Sequence, residues 1–131
     1  MKKKICIVQS TYNSNITDRM VKGAVKVLKY NKVKSIKIIR VPGSFEIPQL
    51  ISKLVKRYDG FIAIGCIIKG ETENFNLICS AITEGIMKLS INYKKPISNG
   101  LITSFNKKQA IKRINNGEEA AAAIVKFLKI K

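Results

Sequence analysis

A short segment behind a long apolar run has the residue types and spacing that bind a small anion. Residues 61–68 are almost entirely apolar, which is typical of a strand buried on both faces of a parallel sheet. The run ends in Gly70, Glu71 and Thr72, and an apolar pattern with helical spacing begins at Phe75. Such a strand, turn and helix start present unpaired backbone N–H groups to an anion. We therefore expect an anion site here, although an ordinary strand-to-helix turn has the same pattern.

The charge of this turn limits the size of the anion. The spacing of Gly65, Gly70 and Thr72 is close to that of a nucleotide-binding P-loop, but Glu71 stands where that motif has a lysine. A carboxylate at that position would repel a triphosphate. The segment therefore favours a site for one smaller phosphate group.

A second loop places an aromatic ring and a carboxylate at the end of another predicted strand. Residues 41–48 read VPGSFEIP, and Pro48 suits the first turn of the helix that follows. Exposed Phe45 and Glu46 side chains would suit a ligand with a flat polar ring and hydroxyl groups. In the alternative interpretation, Phe45 belongs to the core and Glu46 is an anion at a helix start. The loop alone does not decide between them.

Two further positions have functional and ordinary interpretations. Tyr12 and Asn13, in the loop after the first predicted strand, would stack on such a ring and hydrogen-bond to it, but a solvated loop aromatic is equally common. Arg113 lies late in a predicted helix and would clamp a phosphate with two parallel hydrogen bonds, or would be an ordinary surface arginine.

The sequence contains no histidine, which excludes imidazole bases, histidine metal ligands and serine–histidine triads within the chain. The three cysteines are far apart and form no CxxC pair, so disulfide and zinc sites are not favoured. Unpaired thiols of this kind predict a reducing compartment, the cytoplasm.

Length and composition predict one soluble domain over residues 1–131. Apolar residues make up 46% of the chain, and no apolar stretch approaches the ~20 residues of a membrane span, so we expect no membrane partner. The 25 basic and 8 acidic residues give a net charge of +17, which raises the possibility of a nucleic-acid partner. The lysines are scattered, however, and far outnumber the arginines, and no aromatic-basic recognition motif is visible. We therefore favour compositional drift over a functional basic surface and expect no specific nucleic-acid partner.

The elements that must position these residues alternate regularly. Apolar runs predict strands at residues 5–8, 36–41, 61–68 and 97–103. Helices are predicted from Asn15 or Thr17 as the N-cap, and in a segment after residues 42–44 that includes residues 50, 51, 54 and 55. A long helix has residues from Leu77 to Leu89 on one apolar face, and two more run from the cap Asn106 through Ile114 and over residues 118–129. This alternation predicts an α/β three-layer sandwich, a four-stranded parallel sheet in flavodoxin-like order with helices on both faces. Ligands of such sheets bind beyond the carboxyl ends of the strands.

Three long motifs, taken together, resemble the lumazine synthase family. The first two motifs are residues 41–48 and residues 65–75. The third is residues 100–113, which contains a glycine, a threonine and a Q-A-x-x-R ending at Arg113. The order of strands and helices agrees with that family over almost the whole chain. The resemblance implies condensation of 5-amino-6-(D-ribitylamino)uracil with 3,4-dihydroxy-2-butanone 4-phosphate, giving 6,7-dimethyl-8-ribityllumazine, phosphate and water without metal or organic cofactor. It also implies small-molecule substrates and self-association, with a homopentamer as the family expectation.

The resemblance also implies a set of site residues. Those for the pyrimidine and ribityl chain are Tyr12, Asn13, Ser44, Phe45, Glu46, Cys66, Ile67, Ile68 and Asn99. The backbone N–H groups of Glu71 and Thr72 would bind the phosphate, helped by Arg113 of a neighbouring subunit. Two positions depart from the family pattern: its proton-transferring histidine falls at Asn74 and an aromatic falls at Asn99. The alternative function is a non-catalytic oligomer of the same family that binds ligands or serves as a scaffold.

Overall fold

The computed structural model describes residues 2–131, in which strands and helices alternate. The strands are β1 (Lys4–Ser10), β2 (Ser35–Val41), β3 (Gly60–Ile64), β4 (Cys66–Ile68), β5 (Ile97–Asn99) and β6 (Ile102–Ser104). The helices are α1 (Ser14–Tyr30), α2 (Glu46–Leu54), α3 (Phe75–Tyr93), α4 (Lys107–Ile111) and α5 (Asn116–Leu128), and a short 3-10 turn covers Lys69–Glu71.

The central sheet has four parallel strands in the order β2-β1-β3-β5. Ile5 of β1 is in register with Ile36 of β2 and with Gly60 of β3, and Phe61 is in register with Ile97 of β5. The predicted fold class is confirmed. Its cause is the near-continuous apolar character of β1 and β3, which suits strands covered on both faces.

Two hydrophobic cores flank the sheet because successive side chains of a strand point to opposite faces. Ile5 and Ile7 of β1 pack in the core that α1 and α5 cover. Cys6 and Val8 pack in the core that α2 and α3 cover. The three-layer arrangement leaves the carboxyl ends of all strands at one edge of the sheet, where the connections into the helices lie.

The third and fourth predicted strands are each broken in two, so the prediction of continuous strands at residues 61–68 and 97–103 was wrong. β4 and β6 form a separate parallel pair beyond the ends of β3 and β5. The break lies at Gly65, whose carbonyl accepts the N–H of Ile102 at 2.8 Å, and at Gly100, whose N–H donates to Ala63 at 2.8 Å. A Cβ at Gly65 would overlap the Ser44 hydroxyl, so glycine permits this close approach.

The start of α1 also differs from the prediction. Neither Asn15 nor Thr17 caps the helix, which follows Asn13 in the left-handed conformation (φ 62°). Thr17 is buried inside the first turn, where its hydroxyl donates to the carbonyl of Ser10 at 2.8 Å and accepts from Gln9 Nε2 at 3.1 Å. A threonine with two buried partners is therefore fixed by tertiary contacts and is not free to cap.

The cap of α4 is confirmed, because Asn106 Oδ1 accepts the backbone N–H of Gln109 at 2.9 Å. The helix itself ends at Ile111, earlier than predicted, and continues as a tight turn in which the N–H of Arg113 donates to Ala110 at 2.9 Å. Among residues 2–131, none of the helices has the length and apolar character that crossing a membrane requires.

Candidate functional site

A cavity of about 290 Å³ lies at the carboxyl edge of the sheet, between three of the connecting loops. Its walls come from the loops after β1 and β2, from β4, and from the segment that leads into α3. The lining residues are Tyr12, Gly43, Ser44, Phe45, Cys66, Ile67, Ile68, Glu71, Thr72 and Ile78. Most of the residues that the sequence predicts for a ligand site thus surround one space, at the edge where ligands of such sheets bind.

The first two loops are held together by backbone hydrogen bonds that continue the pairing of β1 with β2. The N–H of Thr11 donates to Val41 at 2.8 Å, and the N–H of Tyr12 donates to Pro42 at 3.1 Å. Tyr12 is 56% exposed and Phe45 is 53% exposed. Two aromatic rings therefore stand at the rim of the cavity, with free faces toward solvent, on a backbone that is fixed on both sides.

Asn13 connects opposite walls of the cavity. Its backbone is left-handed, and its side-chain Nδ2 donates to the carbonyl of Cys66 at 3.2 Å and to Glu71 Oε1 at 2.9 Å. Asparagine tolerates the left-handed conformation better than most residues, and its amide supplies both hydrogen bonds. The carboxylate of Glu71 is thereby turned toward Asn13.

The second loop decides between the two interpretations given above. Phe45 fits the interpretation as part of a ligand site, and Glu46 fits the alternative, an anion at a helix start. Phe45 is exposed and belongs to the rim, not to the core. Glu46 does not line the cavity: it begins α2, and its Oε1 accepts the N–H of Gly43 at 2.9 Å. A carboxylate at this position satisfies an otherwise free N–H and lies at the positive end of the helix dipole.

Two serine hydroxyl groups lie beneath the floor of the cavity. Ser44 is 9% exposed, and its hydroxyl is packed against Gly65, whose position also approaches Ser10 Oγ. The Ser10 hydroxyl is fully buried and has no hydrogen-bond partner in the structure. Two hydroxyl groups thus share the space that the missing Cβ of Gly65 leaves open.

Cys66 contributes an uncharged thiol to the floor. Burial is the main cause that raises the pKa of Cys66 to about 11, the Glu71 carboxylate raises it further, and Lys107 lowers it. The thiol is therefore protonated at neutral pH and is not a nucleophile there. Lys107, which the sequence analysis did not consider, brings a cation near this wall. The available signal was its position directly after the helix cap Asn106.

The proposed phosphate segment has a different backbone from the one predicted. Glu71 ends the 3-10 turn and Thr72 is extended (φ −145°, ψ 141°), whereas α3 begins at Phe75. Glu71 and Thr72 therefore line the cavity but do not form the first turn of α3, and the prediction that their amides lie at that helix start was wrong. Asn74, the N-cap of α3, is left-handed (φ 57°), exposed and outside the cavity lining.

Two further predicted site residues lie outside the cavity. Asn99 borders a neighbouring recess of about 410 Å³ with Glu84 and Thr103, and its Oδ1 accepts the N–H of Leu101 at 3.0 Å. Arg113 is exposed, and its Nη1 donates to the carbonyl of Thr103 at 2.8 Å. Within one chain, the structure does not bring Asn99 or Arg113 to the cavity that the other residues surround. In residues 2–131 there is also no cluster of histidine, cysteine and acidic side chains that could hold a metal ion.

Known proteins are similar to this chain in sequence and in fold. The family model described as 6,7-dimethyl-8-ribityllumazine synthase matches residues 2–131. A protein of that name from Pyrococcus furiosus is 37% identical over 129 residues, covering 95% of this chain and 82% of the relative. One from Mycobacterium avium is 35% identical over 127 residues, covering 92% and 79%. The crystal structure of oxidised Flavodoxin 2 from Bacillus cereus has a TM-score of 0.58 at 11% identity, covering 95% of this chain and 99% of that one, and bears on the fold alone.

Proposed function

Because the chain belongs to the 6,7-dimethyl-8-ribityllumazine synthase family, we propose that it condenses 5-amino-6-(D-ribitylamino)uracil with 3,4-dihydroxy-2-butanone 4-phosphate. The products are 6,7-dimethyl-8-ribityllumazine, phosphate and water, and residues 1–131 form one domain of this transferase. One observation carries the proposal beyond family membership. Residues from motifs far apart in the chain, such as Tyr12, Phe45 and Thr72, surround a single cavity at the edge of the sheet where ligands bind.

The proposed roles follow from exposure and chemistry. The pyrimidine stacks on Tyr12 or Phe45 at the rim, and the Ser44 hydroxyl contacts its polar edge, while Ile67 and Ile68 provide an apolar floor. The phosphate of the second substrate lies against the backbone N–H groups of Glu71 and Thr72. Among the proposed substrate-binding residues, Glu46 has a carboxylate that already accepts a hydrogen bond within its own loop.

Asn99 and Arg113 are proposed to act on a neighbouring copy, which makes self-association part of the function. Helix α3 supports this because Leu77, Met87 and Ile91 share one of its faces and are 71%, 59% and 65% exposed. A helix that is apolar toward the sheet and also toward solvent is typical of one covered in an assembly. We propose a homopentamer with sites between subunits. We also propose a cytoplasmic location, in keeping with the three free cysteines.

The chemistry needs positioning and proton transfer but no oxidant. The 5-amino group attacks the ketone, and water leaves to form an imine. The hydroxyl-bearing carbon beside it then loses a proton, phosphate departs, and the resulting enol becomes a ketone. The ribityl-bearing nitrogen attacks that ketone, and a second water leaves as the new ring closes. Holding amine and ketone in contact can supply about 7–11 kcal/mol of the barrier reduction in favourable cases.

Proton transfer is the proposed slow step of the reaction. The sequence has no histidine, and Asn74 at the family's histidine position cannot titrate. Positioned acids and bases typically contribute about 10²–10⁴-fold, so the enzyme is proposed to be slower by a factor in that range than a histidine-bearing relative. The phosphate group of the bound substrate is the proposed proton acceptor, because a phosphate monoester, with a second pKa of about 6, is mainly a dianion at neutral pH.

Formation of the lumazine from both substrates, followed by its absorbance, tests the assignment. We expect slow turnover by the protein and faster turnover by Asn74→His. Absence of lumazine with both proteins at high enzyme concentration would contradict the proposed reaction. Arg113→Ala should raise the apparent KM for the phosphate substrate far more than Lys53→Ala, which removes an exposed cation from α2. Equal effects would contradict the phosphate role of Arg113.

The second candidate function is a non-catalytic oligomer that binds the ring ligand or serves as a scaffold. The observation that favours it is the lack of an imidazole base, because the chain has no histidine and burial raises the pKa of the Cys66 thiol on the cavity floor to about 11. This function predicts assembly and saturable binding of the lumazine, with no turnover in the protein or in Asn74→His.

A further inference from the structure

The fold gathers the connections that lead into the strands at the edge opposite the cavity. Strands β1, β2, β3 and β5 are parallel, so all of them begin at that edge. Residues 2–4, 29–34, 56–59 and 93–96 lead into these strands, with Lys4 as the first residue of β1, and residues 126–131 at the end of α5 lie beside them. We call the surface that these five segments form the basal face.

Contacts join the segments of the basal face. The N–H of Lys4 donates to Asp59 Oδ2 at 2.7 Å, and the N–H of Asp59 donates to Lys4 at 2.8 Å. A groove of about 270 Å³ is lined by residues from four of the segments, including Lys3, Asp59, Lys94 and Phe127. Positions that are far apart in sequence therefore share one surface.

The basal face is cationic throughout. Each of its five segments contains two or more lysine or arginine residues, and Asp59 is the single acidic residue in their sequences. The carboxylate of Asp59 accepts the backbone N–H of Lys4. The other acidic residues of the chain lie outside these segments. Twelve of the 21 lysines thus lie at one end of the molecule, away from the cavity, where with Arg57 they create a strong positive potential.

Aromatic rings are distributed among these cations. Four of the five segments contain one ring each: Tyr30, Tyr58, Tyr93 and Phe127. Tyr30 is 86% exposed, Tyr93 43% and Phe127 56%. Tyr58 is half-buried and lies edge-on against Phe61, with ring centroids 5.6 Å apart. Three rings therefore remain available to a ligand, each within a few residues of at least two cations.

We propose that the basal face binds single-stranded nucleic acid without sequence preference. Each nucleotide offers one phosphate charge and one flat base, and each aromatic segment offers cations and one ring. Base stacking on aromatic side chains combined with a cationic track is the general mode of such binding. Insertion into a lipid surface would need a continuous apolar face, whereas the basal rings lie in separate segments with lysines between them.

The primary test measures the fluorescence anisotropy of labelled oligouridylate and oligothymidylate of about 15 nucleotides, a length near the upper site size of a single binding module. Binding should weaken more than about tenfold between roughly 50 and 200 mM salt, because a few released counterions per complex are expected. Equal affinity for both oligomers identifies recognition of base and phosphate alone, and tighter oligouridylate binding identifies RNA. No binding of either at the lower salt concentration overturns the proposal, as does preference for phosphatidylserine vesicles.

Two sets of variants that remove equal charge locate the surface. Lys3→Gln, Lys34→Gln and Lys94→Gln together should weaken binding more than about tenfold, because each removed phosphate contact lowers affinity and salt dependence together. The matched set is Lys22→Gln, Lys26→Gln and Lys108→Gln, whose side chains are exposed on α1 and α4. It should change affinity by no more than about twofold. Equal weakening by the two sets would show that net charge alone is responsible and would overturn the basal site.

A ring variant and the activity assay complete the test. Tyr30→Leu should lower affinity about fivefold or more with an unchanged salt dependence, since stacking does not release counterions. An unchanged affinity would overturn the stacking component. Lumazine formation should be the same in the basal triple variant as in the unaltered protein. Failure of the proposed enzymatic function and failure of nucleic-acid binding are therefore separate results.

Discussion

Replacing Gly65 by alanine tests how the cavity floor is built. The new Cβ would overlap the Ser44 hydroxyl and would lie 2.9 Å from Leu101 Cδ2 and 3.2 Å from Ser10 Oγ. These groups approach from different elements, so no single side-chain rotation relieves all of the contacts. We expect Gly65→Ala to destabilise the fold and to displace Ser44 from the floor.

The expected size of the effect follows from these contacts. Overpacking of a buried site costs about 1–3 kcal/mol, and the lower chain entropy of unfolded alanine offsets about 0.4–1 kcal/mol of that. A net loss of about 1–2 kcal/mol remains. With an unfolding entropy of about 2.1 cal/mol/K per residue over 131 residues, Tm should fall by roughly 4–7 °C.

Thermal unfolding at one protein concentration measures this loss, since self-association makes Tm depend on concentration. Gly70→Ala is the matched control: it lies in the same segment, and a Cβ there meets nothing within 4 Å. Its Tm should stay the same or rise slightly. Lumazine binding should weaken in Gly65→Ala and should be retained in Gly70→Ala.

A double-variant cycle isolates the contact with the serine. Ser44→Ala removes the oxygen that the new Cβ would overlap, so Gly65→Ala should cost less in that background, with a coupling free energy of about 1 kcal/mol. If Gly65→Ala unfolds within about 1 °C of the unaltered protein, or if the two changes are additive, the account of the floor is refuted.

Three other predictions concern backbone conformation and thiol burial. Asn13→Ala should destabilise the protein by about 1 kcal/mol more than Asn13→Gly in urea unfolding, because both lose the hydrogen bonds to Cys66 and Glu71 but only alanine strains the left-handed backbone (φ 62°). Lys94→Gly should raise stability by about 0.5–1 kcal/mol, whereas Lys94→Gln should not, because Lys94 is left-handed (φ 54°) at the end of α3. Burial raises the pKa of Cys6 from 9.0 to about 12, so the folded state holds this proton more tightly than the unfolded state. The stability it contributes is complete below pH 9 and is lost as the pH rises toward 12, and Cys6→Ala should flatten the urea midpoint across that range.

The alternation of elements could be predicted from the sequence because buried parallel strands are nearly continuous apolar runs. The same continuity concealed the breaks at Gly65 and Gly100. Both halves of the run at residues 61–68 are buried, as at Phe61 and Ile68, so the hydrophobic pattern does not change where the chain leaves one sheet and joins the separate strand pair. The glycines mark the strand breaks, but the close contacts that require glycine are visible only in the three-dimensional structure.

The site could be predicted where its residues lie in the loops that follow strands, because the carboxyl ends of parallel strands meet at one edge. Tyr12, Phe45 and Thr72 are of this kind and lie around the cavity. Arg113 and Asn99 are not brought there within one chain, and their proposed roles depend on a second copy. The hydrogen bond between Asn13 and Glu71 joins residues 58 positions apart in the sequence, and no local sequence pattern predicts such a pair.

The two sides of the cavity are fixed by different kinds of hydrogen bond, and this difference affects how a substrate would enter. The loops that carry Tyr12 and Phe45 are joined by backbone bonds at Thr11 and Tyr12, so they move as one body with the sheet. The facing segment, residues 69–74, is tied across the cavity by the amide of Asn13. We therefore expect the proposed substrate to enter from the side of that segment, whose amide protons should exchange with solvent sooner than those of Thr11 and Tyr12.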